Sequence, residues 1–216
     1  MAQEKGRIFI VSGPAGSGKG TVVKLLAENY DSLNVAISAT TRKPRPGEVD
    51  GVSYYFISKE EFDKRIGNGE FLEYACYSSN YYGTLKSEVD RIIDLGSDVI
   101  LEIEVVGAMN VVNTYPNAIT IMLTPPDKDV LEKRLRGRNT EQEAEIQKRL
   151  ARAKEEIMEL PKYNYSVINY DGKIDECANE VYSIVEAIRK GTDEARQEVE
   201  HLETKNTKAI IEKFRN

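Results

Sequence analysis

The sequence predicts an α/β protein: a central parallel sheet covered by helices, an inserted strand-rich subdomain, and a helical pair outside the main alternation. Three observations predict it. Short apolar runs alternate with helical stretches along most of the 216 residues, as strands buried under helices on both faces do. Residues 35–84 break that alternation, being rich in strands and loops. Residues 127–160 read as two consecutive helices dense in arginine: Arg134, Arg136, Arg138, Arg149 and Arg152.

In chain order, "RIFIVSG" (7–13) is a short apolar run ending in glycine, a buried strand. A helix follows from Gly18 to about Asn29, with Val22, Val23, Leu25 and Leu26 to bury. "VAISAT" (35–40) reads as the second strand. Ser58, with Glu61 three residues on, is a capping box opening a short helix. "FLEYACY" (71–77) and "YYGT" (81–84) read as strands, because aromatics favour a pleated surface. A helix through "SEVDRIIDLG" ends at Gly96, and "DVILEIEV" (98–105) is a central strand. "NAITIMLT" (117–124) is another, stopped by Pro125 and Pro126. The arginine-rich helices break at Gly137, and Thr140 with Glu143 caps the second. "YSVINY" (165–170) is the last strand and "DECANEVYSIVEAIRKG" the closing helix. Residues 191–216 are charged, with Val199, Leu202, Ile210 and Phe214 as a sparse apolar stripe, and read as a helical appendage.

Composition excludes several function classes. With 30 basic and 36 acidic residues the formal charge is −6, without the broad basic footprint of a nucleic-acid binder. No apolar run approaches the about 18 residues of a membrane span. The start "MAQEKGRIFIVSG" has a short apolar run and no small-residue cleavage site, so no signal peptide is expected. Cys76 and Cys177 lie far apart, without zinc spacing or a disulfide framework, which points to a reduced, cytoplasmic compartment. His201 has no metal-ligand company, and no metal-ligating side chains are expected elsewhere.

"GPAGSGKGT" (13–21: Gly13, Pro14, Ala15, Gly16, Ser17, Gly18, Lys19, Gly20, Thr21) follows a strand and opens a helix, matching G-x-x-x-x-G-K. Glycines let backbone N–H groups wrap a polyphosphate, the helix N-terminus attracts anions, and lysine neutralises the β and γ charges. The usual hydroxyl residue after the lysine is Gly20, with Thr21 one place later. A direct hydroxyl ligand for Mg²⁺ is therefore missing at the usual place, and the ion is expected to be held mainly by ATP phosphates and water.

"SATTRKPRPGEVDG" (38–51) is a short basic loop in an acidic chain. Guanidinium forks match phosphate bidentately, and Pro44 and Pro46 lower the entropy cost of holding Arg42 and Arg45. Tyr54 and Tyr82 offer phenolic donors to the same anion. Lys43 has no assigned role and is left to solvent.

From residue 6 to about 190 the chain resembles the guanylate kinases, the ATP:GMP phosphotransferases. The resemblance rests on "GPAGSGKGT", "SATTRKPRPGEVDGVSYYF", "FLEYA", "NYYGT", "LEIEVVGA" and "RLRGRNT"; the second and fourth blocks are the most specific. It implies a P-loop kinase with a core (6–34, 85–126, 158–190), a GMP-binding subdomain (35–84), a lid over ATP (127–157) and a C-terminal helical extension (191–216). It implies ATP and GMP as substrates, with no nucleic acid or membrane partner. Arg42, Arg45, Tyr54 and Tyr82 would hold the GMP phosphate; Ser38, Glu73, Thr84 and Glu102 would surround the guanine. The loop 13–21, Arg134 and Asn169 would hold ATP, and Lys19, Arg42, Arg138 and Arg149 would neutralise the transferring group.

The chemistry of guanine supports that assignment. Its N1–H and N2–H₂ donors suit a carboxylate such as Glu73, and its O6 acceptor suits a hydroxyl from Ser38 or Thr84. Adenine would leave Glu73 unpaired, a penalty of the kind that rejects wrong substrates by roughly 10⁴–10⁵. The chain departs from the family at Val106, where a glutamine is usual, at Asn139, where a glycine is usual, and at Tyr170, where an aspartate is commoner. Two alternatives stand beside this reading: a kinase for AMP or a pyrimidine monophosphate, and a kinase-like protein-interaction module without activity.

Overall fold

A computed structural model of the chain describes residues 5–77, 79–137, 143–204 and 208–215. Its strands are β1 (Ile8–Ser12), β2 (Leu33–Val35), β3 (Ala39–Thr40), β4 (Tyr55–Phe56), β5 (Phe71–Tyr77), β6 (Asn80–Leu85), β7 (Asp98–Glu102), β8 (Ile119–Thr124) and β9 (Tyr165–Ile168). Its helices are α1 (Lys19–Asn29), α2 (Lys59–Gly67), α3 (Lys86–Asp94), α4 (Val105–Thr114), α5 (Lys128–Arg136), α6 (Glu143–Met158), α7 (Ile174–Lys190), α8 (Asp193–Val199) and α9 (Lys208–Arg215). Five strands form one sheet in the order β2-β7-β1-β8-β9, and the pairs β2–β7, β1–β8 and β8–β9 are parallel. Four form a second, smaller sheet in the order β4-β3-β6-β5. The chain is therefore α/β, with a parallel sheet and a separate small one.

The chain divides into two compact units: Met1–Ile8 with Asp31–Ala118, and Phe9–Tyr30 with Ile119–Asn216. In the first, the small sheet closes over Phe62, whose ring stacks on Phe71 at 4.3 Å and lies 5.3 Å from Tyr81. Strands β3 and β4 are parallel, while β6 runs antiparallel to both β3 and β5. Ser58 Oγ accepts from the Glu61 N–H at 3.1 Å and starts α2. The Glu61 carboxylate turns instead to Arg65 at 2.8 Å, so only half of the capping box forms.

Two sequence expectations change in this unit. "VAISAT" is not one strand. Residues through Val35 pair with β7, whereas Ala39 and Thr40 pair with β4 and β6, so the apolar run serves two sheets and bends between them. The strand from Asp98 ends at Glu102, and Val105 begins a helix that the sequence reading lacks. Its valines and Gly107 argue against a helix by propensity. Val105, Ala108 and Val111 are all buried, and that three-residue spacing was the available signal.

In the second unit, residues 9–12 of β1 are all buried, as is all of β8 except Ile119. Such burial is why parallel strands read as continuous apolar runs. Tyr30 and Tyr182 stack at 3.4 Å, joining the end of α1 to α7. Asp127 caps α5 through the Val130 N–H at 2.9 Å, and Thr192 caps α8 through Ala195 at 3.3 Å. The expected cap at Thr140 lies outside the described residues. The extension is folded onto its unit: Val199, Leu202, Ile210 and Phe214 are all buried. Cys177 is buried and its thiol pushed up to about 12 by that burial, while Cys76 is exposed. No helix among the described residues is long and apolar enough to cross a membrane.

Candidate active site

The loop between β1 and α1 has the form its glycines demand. Gly18 sits at φ 92°, and a Cβ there would lie 2.3 Å from Asn169 Nδ2. Ser17 N–H donates to Pro14 O at 3.1 Å, and Lys19 Nζ donates to Gly13 O at 2.5 Å, curling the lysine back over its own loop. Gly20 and Thr21 are exposed in the first turn of α1.

Other segments of the same unit buttress this loop. Asn169 Nδ2 donates to Ser17 O at 2.8 Å. Every nitrogen of the Arg134 guanidinium donates to protein. Nη1 donates to Gly16 O at 3.2 Å, Nη2 to Asn169 O at 2.7 Å, and Nε and Nη2 both reach Asp171 Oδ1. The Arg134 hydrogen bond holds the Asp171 carboxyl below its ordinary range. Asp171 is thus an acid one residue beyond the position where Tyr170 departs from the family. Arg134 and Asn169, expected on the nucleotide, are placed where they fix the loop's backbone. Arg149 on α6 is largely buried, with Nε 3.8 Å from Glu145 Oε1, and burial pulls its pKa down. Arg138 and Asn139 lie outside the described residues. Arg136 pairs with Glu132 and Glu143, and Arg152 pairs with Glu156.

The basic loop belongs to the other unit. Arg42 donates to both carboxylate oxygens of Glu48 at 2.9 Å, and its guanidinium lies 5.5 Å from the Tyr54 ring and 5.8 Å from that of Phe56. Arg45 adds its backbone N–H to Glu48 Oε2 at 2.7 Å. Pairing with Arg42 first, and then the Arg45 N–H, pulls the Glu48 carboxyl down to about 2. The same bond raises the pKa of Arg42, as does the hydrogen bond that Arg42 donates to the Tyr82 hydroxyl oxygen. The Arg45 side chain is exposed, and its guanidinium enters no hydrogen bond or ion pair among the described residues. The rings of Tyr54 and Tyr82 meet edge to face at 6.1 Å, beside Arg42. Lys43 is exposed.

Glu73 lies buried on β5 opposite Thr84 of β6. Its Oε1 accepts from Thr84 N–H at 3.1 Å and from Thr84 Oγ1 at 2.8 Å. Burial raises the carboxyl's pKa above the ordinary 4.5; the two Thr84 bonds oppose that rise, and the nearby Glu104 adds to it. The Thr84 hydroxyl proton is therefore already given to Glu73, which leaves Ser38, half-buried before β3, as the hydroxyl free to donate to a ligand carbonyl. Glu102 is exposed at the end of β7, and its charge acts on Tyr54.

Three residues of this half escaped the sequence reading. Glu48 stands six residues from Arg42 in the same stiffened loop, and its opposite sign was the signal. Glu104, two residues beyond Glu102, lies close enough to disfavour charge on Glu73. Gly107 on α4 packs directly on Glu73, where a Cβ would lie 2.7 Å from Oε2. Nothing in the sequence links those two positions, 34 residues apart. Val106, beside it, is exposed.

Among the described residues no group of three or more His, Cys, Asp or Glu is arranged to hold a metal, and Gly20 supplies no hydroxyl. That donor set suits an ion carried by polyphosphate oxygens and water.

The family model described as guanylate kinase matches residues 5–188. A guanylate kinase of Clostridioides difficile (strain 630) is 46% identical over 185 residues, covering 86% of this chain and 89% of that one. Another, of Lactococcus lactis, is 44% identical over 200 residues, covering 93% and 97%. The crystal structure of guanylate kinase from Anaplasma phagocytophilum superposes with a TM-score of 0.66 at 29% identity, covering 86% of this chain and 87% of that one. With its phosphate loop, its basic loop and its buried glutamate in these positions, the chain belongs to the guanylate kinase family.

Proposed function

We propose that the protein transfers the γ-phosphoryl group of ATP to GMP, giving ADP and GDP, and that dGMP is also accepted. Glu73 is the observation that carries the choice of acceptor. A buried carboxylate with one oxygen already satisfied is costly to keep unless a ligand supplies matching donors. The guanine edge presents N1–H and N2–H₂ side by side; adenine has an acceptor at N1 and no 2-amino group. Ser38 donates to O6, and Glu102 and Glu104 lie at the same strand end. Arg42, Arg45, Tyr54 and Tyr82 take the monophosphate. None of the residues placed on GMP addresses the ribose 2′-hydroxyl, which is the support for dGMP as a second acceptor.

No general base is needed, because the attacking phosphate oxygen is already anionic near neutral pH. The loop amides of 13–21 and Lys19 hold the polyphosphate, while Arg138, Arg149 and Arg42 neutralise the group in transfer. Mg²⁺, riding on the ATP phosphates, supplies further charge neutralisation. Segments 35–84 and 127–157 serve as the GMP-binding subdomain and the lid; each closes on its own nucleotide and keeps water from the γ-phosphate. A reduced cytoplasmic setting suits the two free thiols.

The direct test is GDP formation from ATP and GMP by purified protein, run beside AMP, CMP and UMP. Turnover confined to guanine nucleotides is expected. None in a folded sample would favour the protein-interaction alternative, and AMP as the better acceptor would overturn the guanine assignment. Arg45→Ala should raise KM for GMP by about tenfold or more and move KM for ATP less than about twofold. Equal losses on both would remove the 38–51 loop from the acceptor site.

A further inference from the structure

The match to the family model ends at residue 188, so α8 and α9 lie beyond it. The end of the chain is nevertheless tied firmly into its unit. Glu203 bridges to Tyr165 on β9, Thr204 N–H donates to Asn164 O at 3.1 Å, and Thr204 Oγ1 donates to Tyr163 O at 2.5 Å. From that anchor α9 packs against α6, and Phe214 is 2% exposed. Phe214 lines a cavity of about 270 Å³ together with Leu131 and Glu132 of α5 and Leu150 and Ala151 of α6.

Two of these neighbours lead to the phosphate loop and its arginines. Leu131 also faces Gly16, where a Cβ would lie 3.0 Å from Leu131 Cδ1 and 3.4 Å from Leu135 Cδ2. The same helix sends Arg134 to Gly16 O. Leu150 follows Arg149 directly on α6. Both helices line the cavity beside Phe214, so loss of a large side chain there leaves them room to shift into the enlarged space. Removing the ring at Phe214 would therefore slacken α5 behind Gly16 and α6 behind Arg149.

We propose that Phe214 is a positioning residue for the ATP site, acting through Leu131 on the phosphate loop and through α6 on Arg149. This rests on the reading of the second unit as the ATP-binding half.

The test uses the full-length chain with Phe214→Ala, and Val199→Ala as the control. Val199 is also a buried extension residue, but it does not line the cavity. Affinity for a non-hydrolysable ATP analogue, measured without GMP, should fall about fivefold in Phe214→Ala, with KM for GMP within about twofold of the parent. Val199→Ala should lower the melting temperature and leave ATP affinity within about twofold. Equal ATP losses in the two variants, or none in Phe214→Ala, would overturn the proposal. Where the alanine variant does not fold, Phe214→Leu is judged on the same split. A parent protein that fails to bind the ATP analogue would count against the functional reading itself.

Discussion

The proposed acceptor half, within Asp31–Ala118, rests on Arg42 and Glu73, charged side chains that already have partners, whereas the proposed donor half, within Phe9–Tyr30 and Ile119–Asn216, rests on backbone held in shape by side chains. In the first, Arg42 is fixed by both oxygens of Glu48 and Glu73 by Thr84. In the second, Lys19, Arg134 and Asn169 all donate to main-chain carbonyls of the loop or its neighbour. The difference follows from the ligands. A base must be told from other bases by its edge, which calls for side chains of chosen polarity, and burial makes each unmet bond expensive. A triphosphate offers only charge and shape, which N–H groups at a helix start match with backbone, leaving side chains such as Lys19 to add charge rather than to read an edge.

The largest test of this contrast is Glu73→Gln. The amide turns an N–H₂ towards donors that need an acceptor, so kcat/KM for GMP should fall by roughly 10²–10³, with ATP affinity unchanged. A comparable loss on ATP would erase the distinction between the halves. The pH dependence carries a sign. The folded pKa of Glu73 lies above 4.5, so the free native protein holds this proton more tightly than the unfolded chain. Its contribution to stability thus declines as pH rises from 4.5 through the raised value. GMP needs the carboxylate, so binding should release the proton in that window. KM for GMP should fall as pH rises across it, and Glu73→Gln should flatten the profile.

Gly107→Ala sharpens the comparison at one atom. In a helix, alanine would ordinarily stabilise by about 1 kcal/mol relative to glycine. Here its Cβ meets Glu73 Oε2, so kcat/KM for GMP should drop about tenfold, and the preference for GMP over IMP, which lacks the 2-amino group, should shrink. A stabilised protein with unchanged preference would show that Glu73 does not depend on this contact.

The smallest effect is expected in the donor half. Asp171→Asn keeps the shape of the acid that holds Arg134 but removes its charge. The pair is half-open to water on the acid's side, with Asp171 50% exposed. KM for ATP should rise only about twofold, with GMP unaffected, measured at low and high salt. A tenfold loss would mean that side-chain charge, rather than backbone shape, governs the donor half as well.

Much of this was legible in the sequence, for reasons visible in particular residues. The parallel strands are buried apolar runs, and the loop 13–21 carries its own instructions in glycines and a lysine. Ser38, Arg42, Arg45, Glu73 and Thr84 were expected as a set through the resemblance, because they sit in the short blocks that carry it. The bend after Val35 was not readable, because the β-branched run suits one strand and only its partners decide where that strand stops; the helix at Val105 had the spacing of Val105, Ala108 and Val111 as its signal, set against valines that suit a strand.

By itself the sequence determined the alternation of buried strands and helices, the presence of a phosphate-binding loop, and the residue types that suit a guanine monophosphate. Those follow from local periodicity and from the chemistry of each side chain. Only the tertiary structure decided that the Thr84 hydroxyl is spent on Glu73, that Gly107 is the wall behind it, that Glu48 holds Arg42, and that Phe214 and Leu131 line one cavity. Each of these is a meeting of atoms from different elements, set by how the elements pack, and a linear pattern contains no record of such distances.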